Sequence, residues 1–230
     1  MEGKKFEIKH VQKIIESKDA QALEECIASL EINAVSIGEG GNAVVYVAEG
    51  TPFEKVCLKK IKEKQQIIYN DVDQESIYQM KVREAGVNTP FSLLSLKTEG
   101  GNFIVMERIN GNSVKDILKD DKLMPPNFNY KIFCDSLDLQ ISKMHKADIY
   151  HRDLHEGNVM VEIQEGENVP PLPVIIDFGS ATEGTGSDFT YEESVMSYNE
   201  KTGHYDLVNG YFKDDLVMVK NIKSSLKSFM

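Results

Sequence analysis

A chain of 230 residues, 41% hydrophobic and 27% charged, carries enough apolar side chains to bury a core and reads as one folding unit, not as a disordered or fibrous segment. Its 26 basic residues against 37 acidic ones leave a formal net charge of −11, which argues against nucleic acid or an anionic membrane as main partner. No apolar run reaches membrane-spanning length, and the start MEGKKFEIKH lacks the apolar stretch of a cleaved secretory signal.

Residues 8–30 read as two short helices, with Asp19 available as a cap and Leu23, Ile27 and Leu30 on one stripe. Next, residues 36–47 read SIGEGGNAVVYV, a hairpin in which Gly38, Gly40 and Gly41 remove side chains where a backbone must approach something closely. The strand Val56-Cys57-Leu58-Lys59 follows; alternation puts Cys57 and Lys59 on one face and Lys60 on the other. A helix is expected from Asp71 to Ala85, acidic in its first turn and stopped by Gly86. On it Glu75 lies one turn inside the start, Tyr78 and Met80 to Val82 are the expected packing neighbours, and Glu84 sits at the end.

The apolar strand Phe103-Ile104-Val105-Met106 runs into Glu107-Arg108-Ile109-Asn110-Gly111, a linker. Pro125-Pro126 stops any helix before it, and Phe128 to Met144 reads as a long one with Ile132, Ser136 or Leu137, Ile141 and Met144 inward. Residues 151–158 then read HRDLHEGN, and Asp177-Phe178-Gly179 follows the apolar strands Val159-Met160-Val161 and Val174-Ile175-Ile176. The intervening stretch from Glu165 to Pro173 reads as an exposed excursion. Beyond a polar segment to about Gly203, Asp214-Asp215-Leu216 opens a helix with Leu216, Val219, Ile222, Leu226 and Phe229 at helical spacing, and no Ala-Pro-Glu follows Gly179. Cys26, Cys57 and Cys134 show no metal-ligand spacing and read as thiols of a reducing, cytoplasmic compartment.

This order of motifs resembles the protein kinase-like superfamily over about residues 33–230. The resemblance implies an α+β, two-lobed fold. A small antiparallel-sheet lobe would occupy 33–106, a hinge 107–111 and a shortened, mainly helical lobe 112–230, with 1–32 as a helical extension. It also implies ATP and Mg2+. Asp153 would accept the proton of the attacking hydroxyl, Asn158 and Asp177 would hold magnesium, and Lys59, paired with Glu75, would contact the phosphates. Gly38, Gly40 and Gly41 would cover the triphosphate, although Ala43 stands where a third glycine is usual. Val45 and Cys57 from above and Met160 from below would sandwich the adenine, with Met106 behind it and backbone groups of Glu107 and Ile109 on its edge. The aspartate starting the last helix would brace the catalytic loop.

The absence of the later large-lobe helices resembles the minimal kinase effectors of pathogenic bacteria, which implies Ser/Thr phosphorylation of a host protein, in some cases with activity dependent on a host partner; the chain is expected to be a monomer, cytoplasmic or secreted into host cytosol without a cleaved signal. One residue points elsewhere. His155 stands where most Ser/Thr kinases place lysine, and Asp-Leu-His-x-Gly-Asn resembles aminoglycoside and other small-molecule phosphotransferases, whereas His-Arg-Asp-Leu-His also resembles haspin-type protein kinases. Its expected role is catalytic, as a neutral donor or a cation near the phosphate, with a purely structural histidine of the loop as the alternative. Arg152 and Asp177-Phe178-Gly179-Ser180 favour a protein substrate, and the presence of Lys59, Asp153, Asn158 and Asp177 disfavours a pseudokinase binding module. Asp188, Glu192 and Glu193 are expected to give Arg152 a permanent carboxylate partner, in place of phosphorylation at Thr185, Thr190 or Tyr191.

Overall fold

The computed structural model describes residues 34–48, 54–62, 71–98, 101–166, 168–184, 194–199, 204–209 and 215–229. The helices expected over 8–30, Asp214, and the candidate partners Asp188, Glu192 and Glu193 lie outside them. Strands β1 (Ala34–Glu39), β2 (Ala43–Ala48), β3 (Val56–Ile61), β4 (Ser92–Thr98) and β5 (Gly101–Glu107) form one antiparallel sheet in the order β1-β2-β3-β5-β4. Helix α1 (Val72–Glu84) connects β3 to β4 in the chain. Its start is set by Asp71, whose carboxylate accepts the Asp73 and Gln74 amides, and its end by Gly86 at φ 81°, a left-handed position that glycine adopts without steric cost.

Alternation along β3 divides the sheet into two chemically different faces. Leu58 pairs with Tyr46 and Val105, and these join Val56 and Phe103 in an apolar cluster. Lys60 lies on that face too, its Nζ 5.3 Å from the Phe103 ring centroid. Lys59 pairs with Val45 and Ile104, and Cys57 with Val47 and Met106, on the other face. That second face looks into the cleft.

The chain crosses at residues 108–110 and enters β6 (Gly111–Ser113), which pairs with β8 (Val159–Glu162), itself paired with β9 (Leu172–Ile175). Gly111 is required there, because a Cβ would sit 2.1 Å from the Val161 carbonyl oxygen and no backbone could come so close. The short helix α2 (Val114–Ile117) follows, then α3 (Tyr130–Lys146), capped by the Asn129 side chain on the Ile132 amide. After α3 come β7 (Ile149–Tyr150), which pairs with β10 (Thr182–Glu183), the hairpin of β11 (Ser194–Asn199) and β12 (His204–Asn209), and α4 (Asp215–Phe229). One large core joins Phe133, Leu137, Ile141 and Met144 of α3, Val219, Ile222 and Leu226 of α4, Leu154, Phe178, and Val82 of α1.

The architecture is the expected α+β arrangement, a small sheet lobe above a mainly helical one. Several positions differ from the sequence reading. Ile132 is 44% exposed, since the stripe that continues upward from Leu137 passes four residues back, through Phe133. Met80 faces solvent because α1 buries Val72, Glu75, Ser76, Gln79 and Val82, leaving it outside that stripe. Leu216 is 56% exposed, and Asp215 takes the inward position on the first turn of α4. Strand β9 also begins at Leu172, two residues before the apolar run suggested.

Candidate active site

Three ionisable side chains from separate elements meet in the cleft. The Lys59 Nζ, on β3, lies 2.6 Å from Glu75 Oε1 on α1 and 2.8 Å from Asp177 Oδ1, which follows β9. Lys59 and Glu75 are buried, whereas the Asp177 side chain keeps 40% of its surface exposed, so the cluster is approached by a ligand from the Asp177 side. Burial alone would pull the Lys59 pKa down; the charges of Asp177 and Glu75 outweigh that and hold it above its ordinary value. Burial acts on Asp177 in the opposite sense, yet the Lys59 charge and hydrogen bond keep its carboxyl below the usual range. A charged lysine fixed between two carboxylates is the result.

The backbone is bent to deliver these groups. Asp177 sits at φ 67° and Arg152 at φ 65°, left-handed conformations that cost on the order of 1–3 kcal/mol in non-glycine residues and persist when surrounding structure holds them. At Arg152 the holder is Asp215. Its Oδ2 accepts the His151 amide at 2.8 Å and its Oδ1 the Arg152 amide at 3.0 Å, while His145 Nε2 donates to Oδ2 at 3.0 Å. The buried His151 donates from Nε2 to the Ile176 carbonyl at 2.9 Å and packs its ring 5.0 Å from that of Phe178, tying the loop of residues 151–158 to the Asp177 segment. Arg152 donates from Nε to Thr182 Oγ1 at 3.0 Å and lies over the Tyr150 ring.

Within that loop Asn158 is buried and donates from Nδ2 to the Asp153 carbonyl at 2.9 Å. The main chain of Asn158 is tied to the strand that leads to Asp177, the Ile176 amide donating to the Asn158 main-chain carbonyl at 3.0 Å. His155 stands 3.9 Å from Asp153, Nε2 to Oδ2. The sheet contributes a continuous face. Val45, Cys57, Lys59 and Met106 share the side of Lys59 by register, and Cys57 Sγ lies 3.6 Å from the Glu107 carbonyl. Ile109 and Met160 are half-buried, Met160 in β8 opposite Ser113 and Val174. At the hairpin, residues 38, 40 and 41 meet no packing demand. A Cβ on Gly38 or Gly40 would lie 4.0 Å from its nearest neighbour, and one on Gly41 would meet nothing.

Some of the supporting residues were not legible beforehand. The Glu107 carboxylate accepts the Phe91 amide at 3.0 Å and lies 3.4 Å from Arg83 Nη1, which fastens the linker to the α1–β4 turn. Gln79, buried on α1, donates to the Pro90 carbonyl at 2.6 Å. A glutamate in a linker and a glutamine on a helix carry no sequence signal of such partners.

Magnesium favours oxygen ligands and is commonly held by one or two protein groups together with substrate phosphates. The donor set here, the part-exposed Asp177 carboxylate and the Asn158 amide oxygen, fits that description. Among the described residues there is no cluster of three or more His, Cys, Asp or Glu that could hold a metal by itself.

The two lobes, the crossing linker and the buried lysine cluster between them define the kinase type of fold. The family model described as Protein kinase domain matches residues 32–200, and the chain belongs to that family. It is similar to a probable serine/threonine-protein kinase of Clostridium perfringens, 28% identical over 176 residues covering 74% of this chain and 23% of that protein. The serine/threonine-protein kinase pkn3 of Myxococcus xanthus is 29% identical over 150 residues, covering 63% and 26%. The KEOPS complex subunit Bud32 of Pyrococcus abyssi is 29% identical over 199 residues, covering 77% and 84%. The chain thus spans about a quarter of the serine/threonine kinases and most of Bud32.

Proposed function

We propose that the chain is a kinase that transfers the γ-phosphoryl group of ATP to a serine or threonine hydroxyl of a protein. The observation that carries this reading is the buried Lys59–Glu75 pair joined to Asp177 across the cleft, facing a loop in which Asn158 is bonded to Asp153. The relatives named as serine/threonine kinases support the acceptor class.

In this reading Lys59 binds phosphate oxygens, and Glu75 keeps its ammonium aimed into the cleft. The sheet face of Val45, Cys57 and Met106 covers the base, with the Glu107 carbonyl and Ile109 amide at its edge and Met160 below. Gly38, Gly40 and Gly41 leave the hairpin backbone bare for the triphosphate, which accounts for glycines that no internal packing requires. Asp153 accepts the proton of the acceptor hydroxyl as its oxygen bonds to the γ-phosphorus and the bond to the leaving ADP oxygen breaks. Asp177 and Asn158 would hold magnesium, which supplies charge neutralisation on the phosphates.

The acceptor class is tested by incubating the purified chain with labelled ATP and magnesium, in parallel with protein mixtures and with panels of aminoglycosides and sugars. Label on serine or threonine of protein supports the proposal. Label on the small molecules alone replaces it with a small-molecule phosphotransferase, and nucleotide binding without transfer to any acceptor replaces it with a binding module.

A further inference from the structure

The loop between Asp153 and Asn158 holds a histidine whose ring is fixed from one side. The Gly157 amide donates to His155 Nδ1 at 2.9 Å. A backbone amide can only donate, so Nδ1 must carry the lone pair, and in the neutral ring the proton then resides on Nε2. That Nε2 faces Asp153 Oδ2 at 3.9 Å, beyond hydrogen-bond length but within the range from which such contacts close when an active site fills. Glycine at 157 is a condition of this seat. A Cβ there would lie 2.7 Å from His155 Cε1 and 3.0 Å from Nδ1, with the Lys115 stem 3.6 Å away. The ring would have to shift, and with it the Nδ1 that the Gly157 amide holds. The seat itself is rigid, since the Asn158 amide also donates to the His155 carbonyl at 2.9 Å.

We propose that His155 is a positioning residue for Asp153, held by Gly157 as the neutral tautomer with its proton on Nε2, and that it donates to the Asp153 carboxylate so that the other oxygen meets the acceptor hydroxyl. The proposal rests on the kinase reading for its effect on turnover, but the tautomer is independent of that reading. A lysine in the same place would bring a mobile charge, whereas the seated imidazole brings a directed neutral donor.

Two measurements decide it. With the imidazole nitrogens labelled, long-range proton–nitrogen NMR of the wild-type chain should show His155 with unprotonated Nδ1 and protonated Nε2 at neutral pH. The opposite tautomer overturns the proposal whether or not the chain is active. In turnover, His155→Ala should lower kcat on the order of 100-fold, the scale of a misplaced reacting group, with KM for ATP unchanged, and His155→Gln, which returns an N–H donor near the Nε2 position, should restore most of it. Gly157→Ala should lower kcat comparably in the wild type yet cost little more in the His155→Ala background, because the two residues act as one unit. Equal losses in both backgrounds, or full activity of His155→Ala, overturn the positioning role. Absence of turnover in the wild type would instead sink the kinase reading.

Discussion

The two lobes present their functional groups from unequal foundations. Beneath Asp153, Asn158 and Asp177 lies a core that runs through Leu154, Val159, Ile175 and Phe178 into α3 and α4. The described apolar cluster of the sheet lobe is confined to Val56, Leu58, Phe103 and Val105 with a few half-buried neighbours, and it lies on the face away from Lys59. Residues 35–41, which include the glycines, are exposed throughout. Asp153, Asn158 and Asp177 therefore stand on the rigid half, while residues 35–41, proposed to cover the triphosphate, have little burial to hold them and belong to the low-stability end of the fold. Lys59 joins the halves through side-chain charge.

That joint should be the most sensitive point. Lys59→Met removes the cation between two carboxylates and should abolish turnover, whereas Lys60→Met, on the opposite face over Phe103, should keep it. Side-by-side steady-state assays check this, and the reverse pattern would show that the face assignment of β3 is wrong by one residue.

Next in size is a contrast in stability. Ile222→Ala removes a fully buried side chain from the large core and should cost about 2–5 kcal/mol. Leu94→Ala, half-buried at the edge of the small cluster, should cost clearly less. Denaturant unfolding of the two variants measures the gap, and equal losses would remove the distinction between the lobes.

Much of this arrangement was legible in the sequence. Strand alternation separated Lys59 from Lys60, and the spacing of HRDLHEGN, the two apolar strands and Asp-Phe-Gly set one half of the cleft. The inward face of α1 was harder to read, because it buries Glu75, Ser76 and Gln79, polar residues whose partners Lys59, Ser92 and Pro90 come from other elements. Periodicity counts apolar residues and is blind to such a face. The same limit misplaced Leu216, since the inward position on the first turn of α4 belongs to a carboxylate held by His145 and two loop amides.

Asp215 gives a smaller, pH-dependent effect. Burial pushes its carboxyl up, but the His145 hydrogen bond, the His151 charge and amide and the His145 charge hold it below the ordinary aspartate value. With the folded pKa below the unfolded one, its contribution is complete above the unfolded value of about 3.9 and is lost as pH falls through the folded value. Stability of the wild type should decline in that acid window, and Asp215→Asn should flatten the decline. A variant profile parallel to the wild type would refute this source of the slope.

The smallest effect concerns Cys57, whose thiol burial pushes up to about 12. It should resist alkylation at neutral pH in the native chain and react after unfolding. Rapid native labelling, located by mass spectrometry, would show that the sheet over the cleft opens more freely than its burial indicates.

The central claim is that the charged groups meeting in the cleft carry phosphoryl transfer. Its most direct test is γ-phosphate transfer from ATP by the wild type and Asp177→Ala, with magnesium present and folding checked by thermal unfolding. The account predicts transfer by the wild type and none above background by a folded Asp177→Ala chain; wild-type turnover in that variant would contradict it.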